Sequence, residues 1–269
     1  MKTLLKNVAA IFRVLTVTLP LTVGAQSNSN VSAKIDESLK NAFVNPTDDP
    51  HLPRVLLLGD SISIGYTLPV RQYLLGKANV HRPPENCCST GNALARTVGS
   101  EPEHLKIWLG TNKWDVIHFN WGIWDTHYLD KKTGMLIQDE NKTTPDQVRC
   151  RYSLEQYRTN LTQIVEILQG AGSKLIWAST TPLMYRKGAR FDDILKYNAV
   201  AAEIMKERGI PIDDLYTSTL PETKTWQQGD GHFTPLGSQK LGEKVGKLIL
   251  DTVTEMGMAK PGTECPSRK

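Results

Sequence analysis

Five short apolar runs recur along the chain, and amphipathic helical periods separate several of them. The runs cover residues 54–58, 78–81, 114–120, 174–180 and 211–215. Leu154, Leu161 and Leu168 recur at helical spacing, and residues 192–210 and 234–253 repeat that pattern. Apolar strands that alternate with helices are typical of a parallel sheet covered on both faces. The sequence therefore predicts one α/β domain, with functional groups gathered beyond the carboxyl ends of the strands.

The first apolar run stops abruptly at Gly59-Asp60-Ser61, within the stretch VLLLGDSISIGY. Serine is a preferred N-cap residue, so Ser61 can be interpreted as a helix cap. A serine at the carboxyl end of a buried strand is also a candidate nucleophile when a histidine base is within reach. The tripeptide alone leaves both interpretations open. We interpret Ser63, the second serine, as the helix-start residue.

A candidate base lies near the other end of the chain, in the stretch QQGDGHFTPLGSQKLG. His232 precedes the last predicted helix, so it would lie on a loop at the same edge of the sheet as Ser61. A histidine base makes a serine hydroxyl nucleophilic, and a carboxylate such as Asp230 holds the imidazole in the required tautomer. The alternative is a capping aspartate beside a surface histidine.

Two further residues follow strand ends and could stabilise an oxyanion. Asn120 ends the third run, and an asparagine amide is a good oxyanion donor. Gly91 follows the second run by about ten residues, and its backbone N–H could be a second donor. A turn residue before Gly122 and a plain helix-start glycine are the respective alternatives.

Four short motifs resemble the sequence blocks of the SGNH (GDSL-type) hydrolase family over about residues 53–250: Gly59-Asp60-Ser61-Ile62, Gly91, Asn120 and Asp230-x-His232. The resemblance implies a flavodoxin-like three-layer α/β/α sandwich with a five-stranded parallel sheet. It also implies that Ser61 is the nucleophile, His232 the base and Asp230 its partner. The N–H of Ser61 would join Gly91 and Asn120 in the oxyanion hole.

Two features depart from the family pattern. The family usually has Asp-x-x-His, whereas Gly229 holds that aspartate position here and Asp230 is one residue closer to the histidine. The third block usually reads Gly-x-Asn-Asp, whereas this chain has FNWGIWD. That form resembles a bacterial branch associated with carbohydrate esterases.

The first 25 residues resemble a secretory signal peptide, with Lys2, Lys6 and Arg13 in a positive region before a short apolar stretch, and cleavage is expected after Ala25. The stretch is short and is broken by Pro20, so an uncleaved anchor is the weaker alternative and no stable membrane insertion is expected. The sequence therefore predicts that the mature protein is secreted or periplasmic. The predicted division is a signal peptide (1–25), a polar leader (26–51), an SGNH hydrolase domain (52–258) and a C-terminal tail (259–269).

Export makes two disulfides plausible among the four cysteines. Cys87 and Cys88 are adjacent and are not expected to pair with each other. The sequence therefore predicts one bridge to Cys150 and one to Cys265. No Cys-x-x-Cys or His-x-x-x-His spacing indicates a metal site, and the proposed chemistry needs no cofactor.

Charge argues against a nucleic-acid partner. The chain has 32 basic and 28 acidic residues, and three of the basic residues lie in the predicted signal peptide. The remaining net charge of 29 − 28 = +1 indicates no basic face. The oligomeric state is left open.

Several residues are candidates for substrate binding: Glu85, Asn86, Trp121 and Trp124. Aromatic faces suit sugar rings and acyl chains alike, and core packing is the alternative for Trp121. Residues 126–152 have no strong period, so we predict a flap beside the site, tied down through Cys150. The resemblance and the expected export favour a serine esterase that removes O-acetyl groups from a carbohydrate. A lipolytic esterase or lysophospholipase, and a catalytically inactive sugar-binding protein, are the alternatives.

Overall fold

A computed structural model describes residues 37–95, 104–111, 113–137, 143–183 and 193–258 of the protein. The predicted signal peptide, residues 26–36 of the predicted leader, the predicted tail and Cys265 lie outside these residues.

A five-stranded parallel sheet forms the centre of the domain. The strands of the described residues are β1 (Arg54–Leu58), β2 (Asn79–His81), β3 (Val116–Phe119), β4 (Tyr128–Asp130), β5 (Val148–Cys150), β6 (Lys174–Ala178) and β7 (Ile212–Asp213). The order in the central sheet is β2-β1-β3-β6-β7, and every neighbouring pair is parallel. This is the flavodoxin-like order, so each predicted apolar run supplies one strand of the predicted sheet.

Helices cover both faces of this sheet. They are α1 (Ser61–Tyr73), α2 (Thr90–Ala93), α3 (His104–Leu109), α4 (Leu154–Gly170), α5 (Asp193–Glu207), α6 (Leu215–Thr219), α7 (Thr223–Trp226) and α8 (Pro235–Glu255), with a 3-10 turn at Leu220–Glu222. Val55 and Leu57 pack with α1 and α8, whereas Leu56 and Leu58 pack with α4 and α5. Because side chains alternate along a strand, β1 is buried on both faces, and the predicted three-layer sandwich is confirmed. In the described part of the chain, no helix combines the length and apolarity needed to cross a membrane.

Helices α1 and α8 approach closely because α8 has glycines on its contact face. A Cβ atom added at Gly242 would lie 2.2 Å from Pro69 Cβ, and one added at Gly246 would lie 2.8 Å from Tyr73 Cδ1. The backbone of α8 can therefore lie this close to α1 only because residues 242 and 246 have no side chain.

We expect Gly242→Ala to lower the free energy of unfolding by about 1–3 kcal/mol, because the new methyl group meets a rigid proline ring. Urea denaturation followed by circular dichroism measures this change. Gly170→Ala is the matched control, since Gly170 is also helical and a Cβ there meets no atom within 4 Å. Equal stability of the two variants would contradict the close contact.

The polar segment 37–51, the described part of the predicted leader, packs on the domain through Arg71 of α1. The guanidinium of buried Arg71 donates at 2.7–3.1 Å to the backbone carbonyls of Ser38, Asn41 and Val44. It also donates to Asn45 Oδ1 at 3.0 Å. The segment has few apolar residues, but its backbone and amide oxygens satisfy a buried arginine, and this holds it in place.

The described residues between 126 and 152 are more regular than the flap that we predicted. β4 and β5 form an antiparallel pair, in which Tyr128 lies opposite Cys150. The segment is then held at its C-terminal end by backbone bonds, from Arg151 N to His127 O and from Tyr152 N to Asp125 O. Main-chain pairing therefore fixes the described parts of this segment.

The predicted bridge to Cys150 is wrong, because Cys87, Cys88 and Cys150 are all free thiols. Cys87 is fully buried in the apolar core, and this burial raises the pKa of its thiol to about 12. Cys88 Sγ lies 3.4 Å from Asn86 O, whereas Cys150 lies on the hairpin strand β5. The three described thiols are therefore not bonded to one another. The predicted bridge to Cys265 lies outside the described residues.

Candidate functional site

Ser61 is the first residue of α1, directly beyond the carboxyl end of β1. The helix is capped by Asp60, whose Oδ1 accepts the backbone N–H of Ile62 at 2.9 Å. Ser61 is therefore not the cap, and its side chain is partly exposed at the sheet edge. Ser63 lies inside the helix, where it is buried and its hydroxyl accepts a bond from Arg82 Nη1 at 3.0 Å.

The structure brings His232 and Asp230 to this serine. His232 Nε2 lies 2.8 Å from Ser61 Oγ, and His232 Nδ1 lies 2.9 Å from Asp230 Oδ2. Asp230 Oδ1 also accepts the backbone N–H of His232 at 3.0 Å. Gly231 has a φ of 85°, a conformation that favours glycine. This tight turn allows a carboxylate one residue closer than in the family pattern to reach the imidazole.

The charge of Asp230 suits an orienting role. Hydrogen bonds from the His232 side chain, and then from its backbone, lower the pKa of Asp230 below its usual range. The ionised carboxylate holds a proton on Nδ1 and leaves Nε2 to accept the hydroxyl proton of Ser61. Because the Asp230 side chain is 63% exposed, solvent weakens this pair relative to a buried one.

Asn120 follows β3 at the same edge, but its amide is already engaged. Asn120 Nδ2 donates to Ala178 O at 2.7 Å and to Thr180 Oγ1 at 3.1 Å. Both amide hydrogens therefore point to the end of β6. To bind an oxyanion, Asn120 must exchange one of these bonds, and the bond to the Thr180 hydroxyl is the longer one.

Gly91 is the second residue of the short helix α2, where a backbone N–H has no acceptor within the helix. A Cβ added at Gly91 would lie 1.8 Å from Tyr152 Oη. Only glycine therefore allows the tyrosine at the end of the 126–152 segment to lie against this turn. Sequence reasoning did not single out Tyr152, because the segment 126–152 has no strong period that would indicate which of its side chains are buried.

The two predicted polar binding residues are used within the loop that follows β2. Glu85 Oε1 accepts the indole N–H of Trp108 at 2.6 Å. Asn86 Oδ1 accepts the backbone N–H of Cys88 at 2.9 Å, and this is an Asx turn. Glu85 thus joins the loop to Trp108 on α3, whereas Asn86 shapes the loop itself, and Glu85 remains exposed.

The two predicted tryptophans have different surroundings. Trp121 is fully buried, and its indole N–H donates to Cys87 O at 3.3 Å. Core packing, the alternative stated for Trp121, therefore describes it, and its side chain is not available to a substrate. Trp124 is half-buried, with the Arg151 guanidinium 5.7 Å from its ring centroid and the His127 ring at 5.4 Å.

Arg82 is a buried charged residue beside the site that the sequence pattern did not reveal. Its guanidinium donates to the hydroxyls of Ser63 and Thr67 on α1 at 3.0 and 3.1 Å. It also donates to Glu85 O at 3.1 Å. Arg82 therefore ties the loop after β2 to α1; a charged residue directly after a buried strand was the available signal.

The groups that meet at this edge are a hydroxyl, an imidazole and a carboxylate, which suffice for nucleophilic attack and proton transfer. Over the ranges that the structure describes, no three histidine, cysteine or acidic side chains are grouped as metal ligands.

No protein-family model and no curated protein matches this sequence. Solved structures share its fold. A lipase/acylhydrolase from Enterococcus faecalis has 20% identity and a TM-score of 0.53, over 79% of this chain and 100% of that chain. A GDSL-like lipase from Bacteroides thetaiotaomicron has 14% identity and a TM-score of 0.51, over 83% and 99%. Axe2, an acetylxylan esterase from Geobacillus stearothermophilus, has 15% identity and a TM-score of 0.52, over 78% and 97%. The chain thus has the fold of the SGNH (GDSL-type) hydrolases.

Proposed function

We propose that the protein is a serine esterase that works through an acyl-enzyme. The observation that carries this proposal is the pair of contacts of His232, 2.8 Å to Ser61 Oγ and 2.9 Å to Asp230 Oδ2. A nucleophile, a base and an orienting carboxylate in hydrogen-bond reach are the arrangement that activates a serine. The fold shared with SGNH hydrolases adds support by analogy.

In the proposed reaction, Ser61 Oγ adds to the ester carbonyl carbon while its proton passes to His232 Nε2. The tetrahedral intermediate collapses, the bond to the alcohol oxygen breaks, and His232 returns the proton to the leaving alcohol. A water molecule then adds to the acyl-enzyme with His232 as base. This second step releases the carboxylic acid and restores the Ser61 hydroxyl.

Three donors would stabilise the negative oxygen of the intermediate: the N–H groups of Ser61 and Gly91 and the amide of Asn120. The Asn120 amide would turn its hydrogen from Thr180 to the oxyanion, since a hydroxyl can find another partner by rotation. A donor of this kind contributes about 3–4 kcal/mol to transition-state stabilisation.

We propose O-acetyl groups on a polysaccharide or oligosaccharide as the substrate. The FNWGIWD motif resembles a branch associated with carbohydrate esterases, and a solved structure of the same fold is called an acetylxylan esterase. The signal-like N-terminus supports a secreted or periplasmic location, where such glycans are found. Lipolytic activity is a second candidate, because two proteins of the same fold are called lipases.

A substrate panel tests this proposal. We expect turnover of p-nitrophenyl acetate, slower turnover of the octanoate ester, and acetate release from at least one acetylated glycan. A preference for octanoate would favour the lipolytic candidate. No turnover by well-folded protein would favour an inactive sugar-binding protein, the alternative that the shifted aspartate suggested.

We expect Asp230→Asn to lower kcat for p-nitrophenyl acetate by about 10- to 100-fold, less than the roughly 10⁴-fold loss for a buried orienting carboxylate. The amide no longer fixes the His232 tautomer, but solvent already weakens the contact. Steady-state kinetics at pH 8 measure the loss. Asp251→Asn, an exposed change on α8, is the control and should keep wild-type kcat. An unchanged rate in Asp230→Asn would remove Asp230 from the proposal.

A further inference from the structure

Asp125 is a fully buried carboxylate in the turn that follows β3 and Asn120. Its two oxygens face Thr90, the residue before Gly91. The Thr90 backbone N–H donates to Oδ1 at 3.1 Å and to Oδ2 at 3.2 Å. The Thr90 hydroxyl donates to Oδ1 as well. One carboxylate thus accepts both donors of a single residue in another loop.

The Thr90 hydroxyl is fixed from its other side too. Asn160 Nδ2, on α4, donates to Thr90 Oγ1 at 3.1 Å. The hydroxyl therefore accepts from Asn160 and donates to Asp125, which leaves it one orientation. Tyr152 closes the same unit, since its backbone N–H donates to Asp125 O at 3.4 Å and its hydroxyl lies against Gly91.

The two loops that carry the proposed oxyanion donors are joined through these bonds. The turn 122–126 begins two residues after Asn120, and backbone bonds from Asp125 N and Thr126 N to Gly122 O hold it. The Asp125 side chain then crosses to the turn that holds Gly91. A donor displaced by about 1 Å can cost on the order of 100-fold in rate, so a rigid link between the two donors has catalytic value.

We propose that Asp125 is a positioning residue, which holds the N–H of Gly91 at a fixed distance from Asn120 through its bonds to Thr90. This inference rests on the proposed esterase function. Asp125 does not contact substrate in this role; it acts through Thr90.

The ionisation of Asp125 allows an experiment to distinguish a positioning role in catalysis from a role in stabilising the fold. Burial raises the pKa of Asp125 to about 7, while the Thr90 bonds and Arg151 lower it and Asp60 raises it further. Two buried phenols, Tyr157 and Tyr197, also face it. Because the folded-state pKa lies above the unfolded value, stability falls as pH rises from about 4 to about 7. At pH 8 the fold therefore holds a carboxylate that favours unfolding.

The decisive variant is Asp125→Asn, compared with wild type at pH 8 on p-nitrophenyl acetate. We expect kcat to fall by about 10- to 100-fold with KM nearly unchanged, because the amide puts an NH2 donor where Oδ2 accepts the Thr90 N–H, and the two donors push Thr90 away. The midpoint of urea unfolding should be equal or higher, because the neutral amide removes the buried charge. A merely structural residue would instead lower the unfolding midpoint and leave kcat per folded molecule unchanged, and that result would overturn the inference.

A second pair of variants keeps the test independent of the folding of Asp125→Asn. Thr90→Ser retains the hydroxyl and should keep kcat within about 3-fold, whereas Thr90→Val retains the shape and should lose about 10-fold. Equal kcat in both would contradict the proposed link. Failure of the esterase proposal looks different, because wild-type protein would then show no hydrolysis that depends on Ser61.

Discussion

Ser61→Ala is expected to lower kcat/KM for p-nitrophenyl acetate by about 10⁴- to 10⁶-fold, because the variant lacks the hydroxyl that would form the acyl-enzyme. The rate should fall to the level that substrate binding and oxyanion donors support without a nucleophile. Initial rates over a range of ester concentrations, with thermal unfolding to verify folding, measure the effect.

The matched control is Ser218→Ala, which removes an exposed serine hydroxyl on α6 and should keep the wild-type rate. Ser63 is not a competing nucleophile, since it is 2% exposed and its oxygen is bonded to Arg82. Retention of more than about a tenth of the activity in Ser61→Ala would overturn the assignment, since replacement of the nucleophile in a serine triad lowers kcat far more than this.

His232→Ala is expected to have a loss of similar size, about 10⁴- to 10⁶-fold in kcat/KM. Without the imidazole, the Ser61 hydroxyl loses the base that would accept its proton at neutral pH. His51→Ala is the control, because His51 is exposed and should be replaceable without loss of rate.

The double variant Ser61→Ala/His232→Ala tests whether the two residues act in the same step. Residues that act as one unit do not contribute additively, so the double variant should be no slower than Ser61→Ala alone. An additive loss would mean that His232 acts in some step that does not involve Ser61.

Sequence reasoning predicted the sheet because buried parallel strands read as continuous apolar runs, bounded by turn residues. It also predicted which residues meet at the site. Ser61, Asn120 and His232 lie far apart in the chain, but each follows a strand or precedes a helix at one edge. Topology alone then brings them to the same edge, where the structure gives 2.8 Å between Ser61 Oγ and His232 Nε2.

The parts that sequence reasoning missed depend on which polar partner a side chain selects after packing. Nothing in FNWGIWD says that the Asn120 amide donates to Thr180, or that Asp125 crosses to Thr90. The predicted bridge to Cys150 failed for a related reason. It came from the expected compartment and cysteine count, and these carry no information about where each thiol packs.

The polar segment 37–51 covers one edge of the central sheet, and this affects how two copies of the protein can pair. β2 is an edge strand of the described sheet, so backbone groups of Val80 and Arg82 point away from β1 and have no neighbouring strand to pair with. Arg71 Nε donates to Val80 O at 3.0 Å, and the Asn45 amide accepts from Arg82 N and donates to Arg82 O. Two side chains thus take the place of a neighbouring strand. Asn45 belongs to the segment 37–51, so removal of that segment would leave the N–H and carbonyl of Arg82 without this partner. We expect the truncated protein to add strands from other molecules at this edge more readily.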